Sequence, residues 1–277
     1  MTGALRLEAP AKLNLSLSVV GRRDDGYHEL DSVLVLLELA DRLLLLPGCS
    51  GLRVDGDAAG DVPLDAGNLA WRGLVAGLDG EPDLACLALE KRIPGAAGMG
   101  GGSSDAAAAW RLGRAWRGHP DGASADELAG LAGIGADVPF FAARAPAARV
   151  TGIGERIAPL DLAPRHVVLA HPPFGLSTAA VFAELRSDEW GSAENDLLAA
   201  AVRLRPELRD LIALVTNAGG EPRMTGSGPT LFCLLDDAER AEAIATEIRR
   251  AGLRATTTRT RRAAASIEPI NEGDEEE

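Results

Sequence analysis

Aromatic side chains are scarce in this 277-residue chain: one Tyr, five Phe and four Trp, or 4% of the whole. Any core must therefore be built mainly from Leu, Val and Ala, and 46% hydrophobic residues is ample for one. Cysteines are few as well. Cys49, Cys86 and Cys233 are odd in number and widely spaced, with no C-x-x-C and no Cys/His cluster. Neither a disulfide framework nor a zinc site is indicated, and all three are expected to be small buried apolar residues. No apolar run approaches the roughly 20 residues of a membrane span. The longest, 33–46, is broken by Glu38, Asp41 and Arg42. The first ten residues carry Glu8 and Pro10 and lack the charge-then-apolar order of a signal peptide. A soluble, cytoplasmic chain with no membrane partner is expected. Basic residues are in deficit, 28 against 41 acidic, for a net charge of −13. Six of the acidic residues fall in the last ten positions, leaving −7 on the remainder. Such a surface argues against nucleic-acid binding, and residues 268–277 are expected to form a disordered acidic tail.

Glycine, by contrast, is concentrated. Gly98-Met99-Gly100-Gly101-Gly102-Ser103-Ser104-Asp105 places four glycines in five positions ahead of an Ala run ending at Trp110. Glycine admits a ligand close to the main chain, Ser and Asp start helices, and Ala sustains them. The stretch reads as a loop opening into a helix, with unpaired N–H groups converging on an anion, and a phosphate chain is the anion of choice. It matches neither G-x-x-x-x-G-K-[ST], because Ser103 stands where Lys is needed, nor G-x-G-x-x-G.

The rest of the chain alternates strand and helix patterns. Leu13, Leu15, Leu17 and Val19 alternate with polar residues, as in a half-buried strand. Residues 33–39 and 42–46 read as two further strands around a turn at Ala40-Asp41. A helix is expected over 68–78, a strand over 84–90 leading into the glycine loop, and a domain boundary between Pro159 and Pro164. Beyond it come strands at 166–171, 230–235 and 253–258, separated by helices. The order predicts an α+β fold in two domains, 1–161 and 162–267.

Three polar islands interrupt the apolar pattern: Lys12 with Asn14 on a strand, Asp137 between Gly135-Ala136 and Val138-Pro139, and a second glycine loop, Thr225-Gly226-Ser227-Gly228. Phosphoryl transfer needs a phosphate cradle, a positive charge where negative charge builds up, and a carboxylate to orient or deprotonate the acceptor hydroxyl. The first glycine loop, Lys12 and Asp137 supply one of each, and the second loop can close over the phosphates or the acceptor.

Three motifs in order resemble those of the GHMP kinases, the group containing galactokinase, homoserine kinase and mevalonate kinase. They are Pro10-Ala11-Lys12-Leu13-Asn14-Leu15, then Pro94-x3-Gly98 through Ala107, then Met224-Thr225-Gly226-Ser227-Gly228-Pro229. Two further segments, Arg22–Leu30 and Gly135–Phe141, are similar to the branch of that family whose acceptor is a cytidine diphosphate-linked methylerythritol. The resemblance covers roughly residues 8–260. It implies a ribosomal-protein-S5-like N-terminal domain, a ferredoxin-like C-terminal domain and an active site between them. It implies ATP as phosphoryl donor with Mg²⁺, and the acceptor's 2-hydroxyl as the target in isoprenoid precursor synthesis. Lys12 and Asp137 fall at the catalytic positions. Pro94, Gly98, Gly100, Gly101, Gly102, Ser103, Ser104 and Asp105 fall at the ATP loop, with Asn68 and Lys91 near the adenosine. Ser104 is also a possible Mg²⁺ ligand. Asn14, His28, Gly226 and Ser227 fall at acceptor positions, and Tyr27 and Phe182 at positions that sandwich a cytosine ring. Pro229, directly after the third motif, is a departure that puts the second loop's shape in question. The alternatives are a kinase of the same family acting on homoserine or mevalonate, and a nucleotide-binding module without catalysis.

Overall fold

The computed structural model describes residues 3–60, 62–80, 82 and 85–270. In chain order it consists of β1 (Leu5–Arg22), β2 (His28–Pro47), β3 (Gly51–Asp55), α1 (Leu69–Leu78), β4 (Ala85–Glu90), α2 (Gly101–Trp116), α3 (Ala125–Leu131), α4 (Val138–Ala142), β5 (Ala147–Gly152) and β6 (Arg156–Pro159). After residues 160–165 follow β7 (His166–His171), α5 (Thr178–Glu184), α6 (Leu197–Leu204), α7 (Leu208–Asn217), β8 (Arg223–Met224), β9 (Leu231–Leu235), α8 (Ala238–Arg250), β10 (Arg254–Arg259) and β11 (Glu268–Pro269). The first sheet runs β11-β1-β2-β4-β3, with β5 on β2 and β6 on β5; the second runs β10-β7-β9-β8. The mixed α+β architecture in two sheets follows the sequence expectation.

The alternating strand read at 13–19 is the centre of β1, which pairs antiparallel with β2 over most of its length. Strand β2 changes partner midway. Leu30–Val35 pair with Ala147–Gly152, and Arg42–Pro47 pair with Ala85–Glu90. Here the expected turn at Ala40-Asp41 is corrected: β2 is continuous, and Asp41 is fully buried. A charge inside an apolar run looks like a turn unless its partners, Lys91 and two backbone amides, are known in advance.

Two further expectations are corrected. Cys49 and Cys86 are disulfide-bonded, with Cα atoms 5.2 Å apart, tying the loop after β2 to β4; only Cys233 is the free buried residue foreseen for all three. The fold also extends past 267. Glu268 and Pro269 pair with β1, Glu268 bonds Arg6, and the Ile270 N–H donates to the Ala4 carbonyl. Residues 271–277 of the expected tail lie outside the described residues.

One apolar cluster joins the sheets. Ala11 and Leu13 of β1 and Val35 and Leu37 of β2 pack with Val167, Leu169 and Phe232 of the second sheet. Close packing of these side chains fixes how the two sheets sit against each other. The same strands carry Lys12 and Asn14, so the site is built directly on the joint.

Candidate active site

Helix α2 begins where the first glycine loop ends. The Ser104 N–H makes the first helical bond, to the Gly100 carbonyl at 2.9 Å. The N–H groups of Gly101, Gly102 and Ser103 precede it in the first turn and have no acceptor within the helix. Those three residues line a cavity of about 380 Å³ together with Lys12, Asn14, Lys91, Pro94, Gly98, Gly100, Asp137, Phe182, Gly226 and Ser227. Thirteen of the residues singled out from sequence thus face one space, drawn from both halves of the chain.

The two glycine loops touch. A Cβ on Gly98 would lie 2.3 Å from the Thr225 carbonyl oxygen, and one on Gly226 would lie 2.7 Å from the Gly98 carbonyl oxygen. Both residues also have φ in the left-handed region, so only glycine fits. Thr225 fastens the contact: its Oγ1 donates to the Gly98 carbonyl at 3.2 Å and accepts from the Asn14 N–H at 3.1 Å. Asn195 holds the second loop from behind, its Nδ2 donating to the Met224 and Gly226 carbonyls at 2.8 and 2.9 Å. The Gly228–Pro229 peptide is cis.

Lys12 lies between the loops. Its Nζ donates to Asn14 Oδ1 at 2.6 Å and stands 3.6 Å from Asp137 Oδ2. Asn14 is itself fixed, its Nδ2 donating to Ser32 Oγ at 2.8 Å. The Lys12 side chain is 5% exposed, and that of Asp137 38%. A buried cation thus faces a carboxylate open to the cavity, at the entrance to α4, whose first residues Val138 and Pro139 are buried.

Lys91 and Asp105 are placed differently. Lys91 Nζ donates to Asp105 Oδ2 at 2.6 Å and to Asp41 Oδ2, and all three residues are buried. Asp41 Oδ1 accepts the Arg92 and Ile93 N–H groups at 2.5 and 2.8 Å, fixing the backbone just before the loop. Burial pulls the Lys91 ammonium down, but the charges of Asp105 and Asp41 outweigh it and hold its pKa above the usual value. Burial pushes Asp105 well above the usual carboxylate range despite the pull of Lys91. Ser104 is buried beside it with an unpartnered Oγ. Neither Ser104 nor Asp105 lines the cavity. Asn68 also lies off it: it caps α1 through Oδ1 and donates to the Pro63 carbonyl through Nδ2.

At the far end of the cavity Phe182 lies on α5. The ring stacked on it is that of His28, with centroids 5.2 Å apart and planes 24° from parallel. Neither His28 nor Tyr27 is among the residues lining the cavity, and Tyr27, 61% exposed, is not brought onto Phe182. Sequence reasoning missed Thr178, whose hydroxyl is 2.8 Å from Ser227 Oγ. It also missed Trp190, perpendicular to His28 with ring centroids 5.9 Å apart. Thr178 was legible only as a helix start, and Trp190 sits in a polar stretch with no motif.

The descriptions of known families bear on this geometry. Residues 68–144 match the model of the GHMP kinases N terminal domain, and residues 179–253 that of the GHMP kinases C terminal. The chain is 40% identical over 280 residues to the 4-diphosphocytidyl-2-C-methyl-D-erythritol kinase of Nocardia farcinica, covering 89% of this chain and 90% of that one. It is 40% identical over 260 residues to the enzyme of the same name from Paracoccus denitrificans, covering 86% and 89%. A crystal structure of a 4-(cytidine 5'-diphospho)-2C-methyl-D-erythritol kinase superposes with a TM-score of 0.73 at 35% identity, covering 92% of this chain and 98% of that one. The chain therefore belongs to the GHMP kinases and, within them, to the 4-diphosphocytidyl-2-C-methyl-D-erythritol kinase family.

Proposed function

We propose that this protein transfers the γ-phosphoryl group of ATP to the 2-hydroxyl of 4-diphosphocytidyl-2-C-methyl-D-erythritol. The observation that carries the reading is the Lys12–Asp137 pair, open to a cavity that runs from two touching glycine loops to an aromatic end. The acceptor oxygen attacks the γ-phosphorus, the bond to the ADP oxygen breaks, and Asp137 takes the hydroxyl proton. Lys12, 3.6 Å from Asp137, stabilises the charge developing on the transferring group. The free amides at the start of α2 suit the phosphates of ATP, and glycine at 98 lets the second loop close against the first.

Mg²⁺ fits as a phosphate-borne ion. Among the described residues no group of three or more His, Cys, Asp or Glu side chains could hold a metal, and Mg²⁺ favours waters and substrate phosphates over an all-protein cage. Ser104, the possible Mg²⁺ ligand from sequence, is buried off the cavity lining, so phosphate oxygens and waters would carry the ion. The ion would neutralise phosphate charge during transfer. On the acceptor side, the Phe182 ring, with His28 stacked on it, is the aromatic surface the base would meet. The domain division at 161/162, in the connection between β6 and β7, puts donor loop and catalytic pair in the first domain and Phe182 in the second. Among the described residues no helix is long and apolar enough to cross a membrane.

The test is ADP release across a panel of acceptor alcohols. Turnover with the cytidine diphosphate-linked methylerythritol and none with homoserine or mevalonate is expected. Turnover with either of the latter, or ATP hydrolysis indifferent to the acceptor, would point to the alternatives.

A further inference from the structure

Trp190 belongs to the segment between α5 and α6, which carries no motif, yet the structure holds it in place with unusual care. The buried Asp196 carboxylate accepts four backbone N–H groups: Gly191 at 2.6 Å, Ser192 at 3.1 Å, Ala193 at 3.2 Å and Val19 of β1 at 2.7 Å. On the other side Arg203 donates to Glu189 at 2.5 and 2.9 Å and to Glu184 at 2.6 Å. Asp196 thereby ties the segment to the first sheet, and Arg203 ties it to α5 and α6. Between these anchors stands Trp190, partly buried, packed against the core of the second half.

Its ring meets His28 at 89°, the edge-to-face arrangement that aromatic quadrupoles favour. His28 is thus held on two sides, by Phe182 in a stack and by Trp190 at a right angle. Nothing else described at His28 fixes the rotation of its imidazole. Burial, and next the nearby Arg22 charge, lower the His28 pKa, so the ring is neutral near pH 7 and offers one N–H and one lone pair. Such a ring distinguishes cytosine from uracil only if its orientation is fixed, because the two bases exchange an amino donor for a carbonyl acceptor at one edge. The Trp190 Nε1 is also buried without a partner among the described residues, so packing rather than a hydrogen bond places the ring.

We propose that Trp190 is the positioning residue that sets base selectivity at the acceptor end of the cavity, by locking the rotation of the His28 ring against Phe182. The inference rests on the acceptor assignment above. It gives the segment 186–194 a role in reading the base without touching it.

The test compares CDP and UDP as competitive inhibitors against the acceptor. The wild-type enzyme is expected to prefer CDP strongly. Trp190→Ala should narrow the CDP/UDP preference about tenfold, the size of losing one edge-to-face pair with its packing, while the KM for ATP stays within about twofold. Trp190→Phe, which keeps an aromatic edge, should retain most of the preference. A selective wild type with an unaltered preference in folded Trp190→Ala overturns this inference and leaves the acceptor assignment standing. A wild type indifferent between CDP and UDP overturns both. A second measurement does not need the Ala variant to fold. The chain has four tryptophans, and CDP should quench the emission of the wild type more than that of Trp190→Phe; equal quenching in the two contradicts the proposal.

Discussion

Of the 28 basic residues only Lys12 and Lys91 are lysines, and both line the same cavity, but their surroundings are opposites. Lys91 is closed in by two buried carboxylates within hydrogen-bond reach, and its charge is matched before any ligand arrives. Lys12 has an amide oxygen at 2.6 Å and its nearest carboxylate only at 3.6 Å, on a side chain more than a third exposed. An ammonium is a compact point charge, whereas a guanidinium needs a planar fork of acceptors. Between two glycine loops, with a Cβ at Gly100 or Gly226 already within 3.2 Å of the Lys12 side chain, only the compact cation fits. One cation is closed in by two carboxylates, and the other faces the cavity with a single, more distant one.

Removing each charge should break different things. Lys91→Met leaves Asp41 and Asp105 buried beside each other without a counter-charge, and stripping one partner from a buried pair costs about 3–5 kcal/mol. Chemical denaturation should show that loss, and the melting temperature should fall by about ten degrees. Lys12→Met should leave the melting temperature within a few degrees of wild type and lower kcat about 10²–10³-fold, as losing one charge-stabilising donor does. A large stability loss for Lys12→Met with modest kinetic change would erase the contrast.

The finest discrimination concerns Asp105. Its folded-state pKa is raised, so between the unfolded value near 3.8 and that raised value the native state keeps a proton the unfolded chain releases. Stability therefore falls as pH rises through that window and is flat above it. Asp105→Asn should remove this slope at a cost of about 1 kcal/mol or less at low pH, read from melting curves between pH 4 and 8. An unchanged slope would place the proton elsewhere in the triad.

What could be read from the sequence follows from how local each signal is. The glycine loop is local, since close approach and a helix start are encoded in consecutive residues, and Lys12, Asn14 and Asp137 stand out as polar breaks in apolar patterns. Asp41 was misread because its partners Lys91, Arg92 and Ile93 are about fifty positions away. The Cys49–Cys86 bond was missed for the same reason, as strands β2 and β4 meet only once the sheet forms. Glu268 looked like the start of an acidic tail because strand β1, which it pairs with, lies at the opposite end of the chain. Trp190 had no pattern to belong to. Its place beside His28 depends on anchors from β1 and α6 together.

The central claim is that Asp137, with the Lys12 cation beside it, is the base, and Asp137→Asn tests it most directly. The substitution preserves shape and removes the ability to take a proton. With the cytidine diphosphate-linked acceptor, kcat should fall about 10²–10⁴-fold, while the dissociation constants for ATP and acceptor, measured calorimetrically, stay within about threefold. Near-normal turnover with both substrates bound normally would contradict it, and would leave Lys12 as a phosphate clamp facing a carboxylate that does no chemistry.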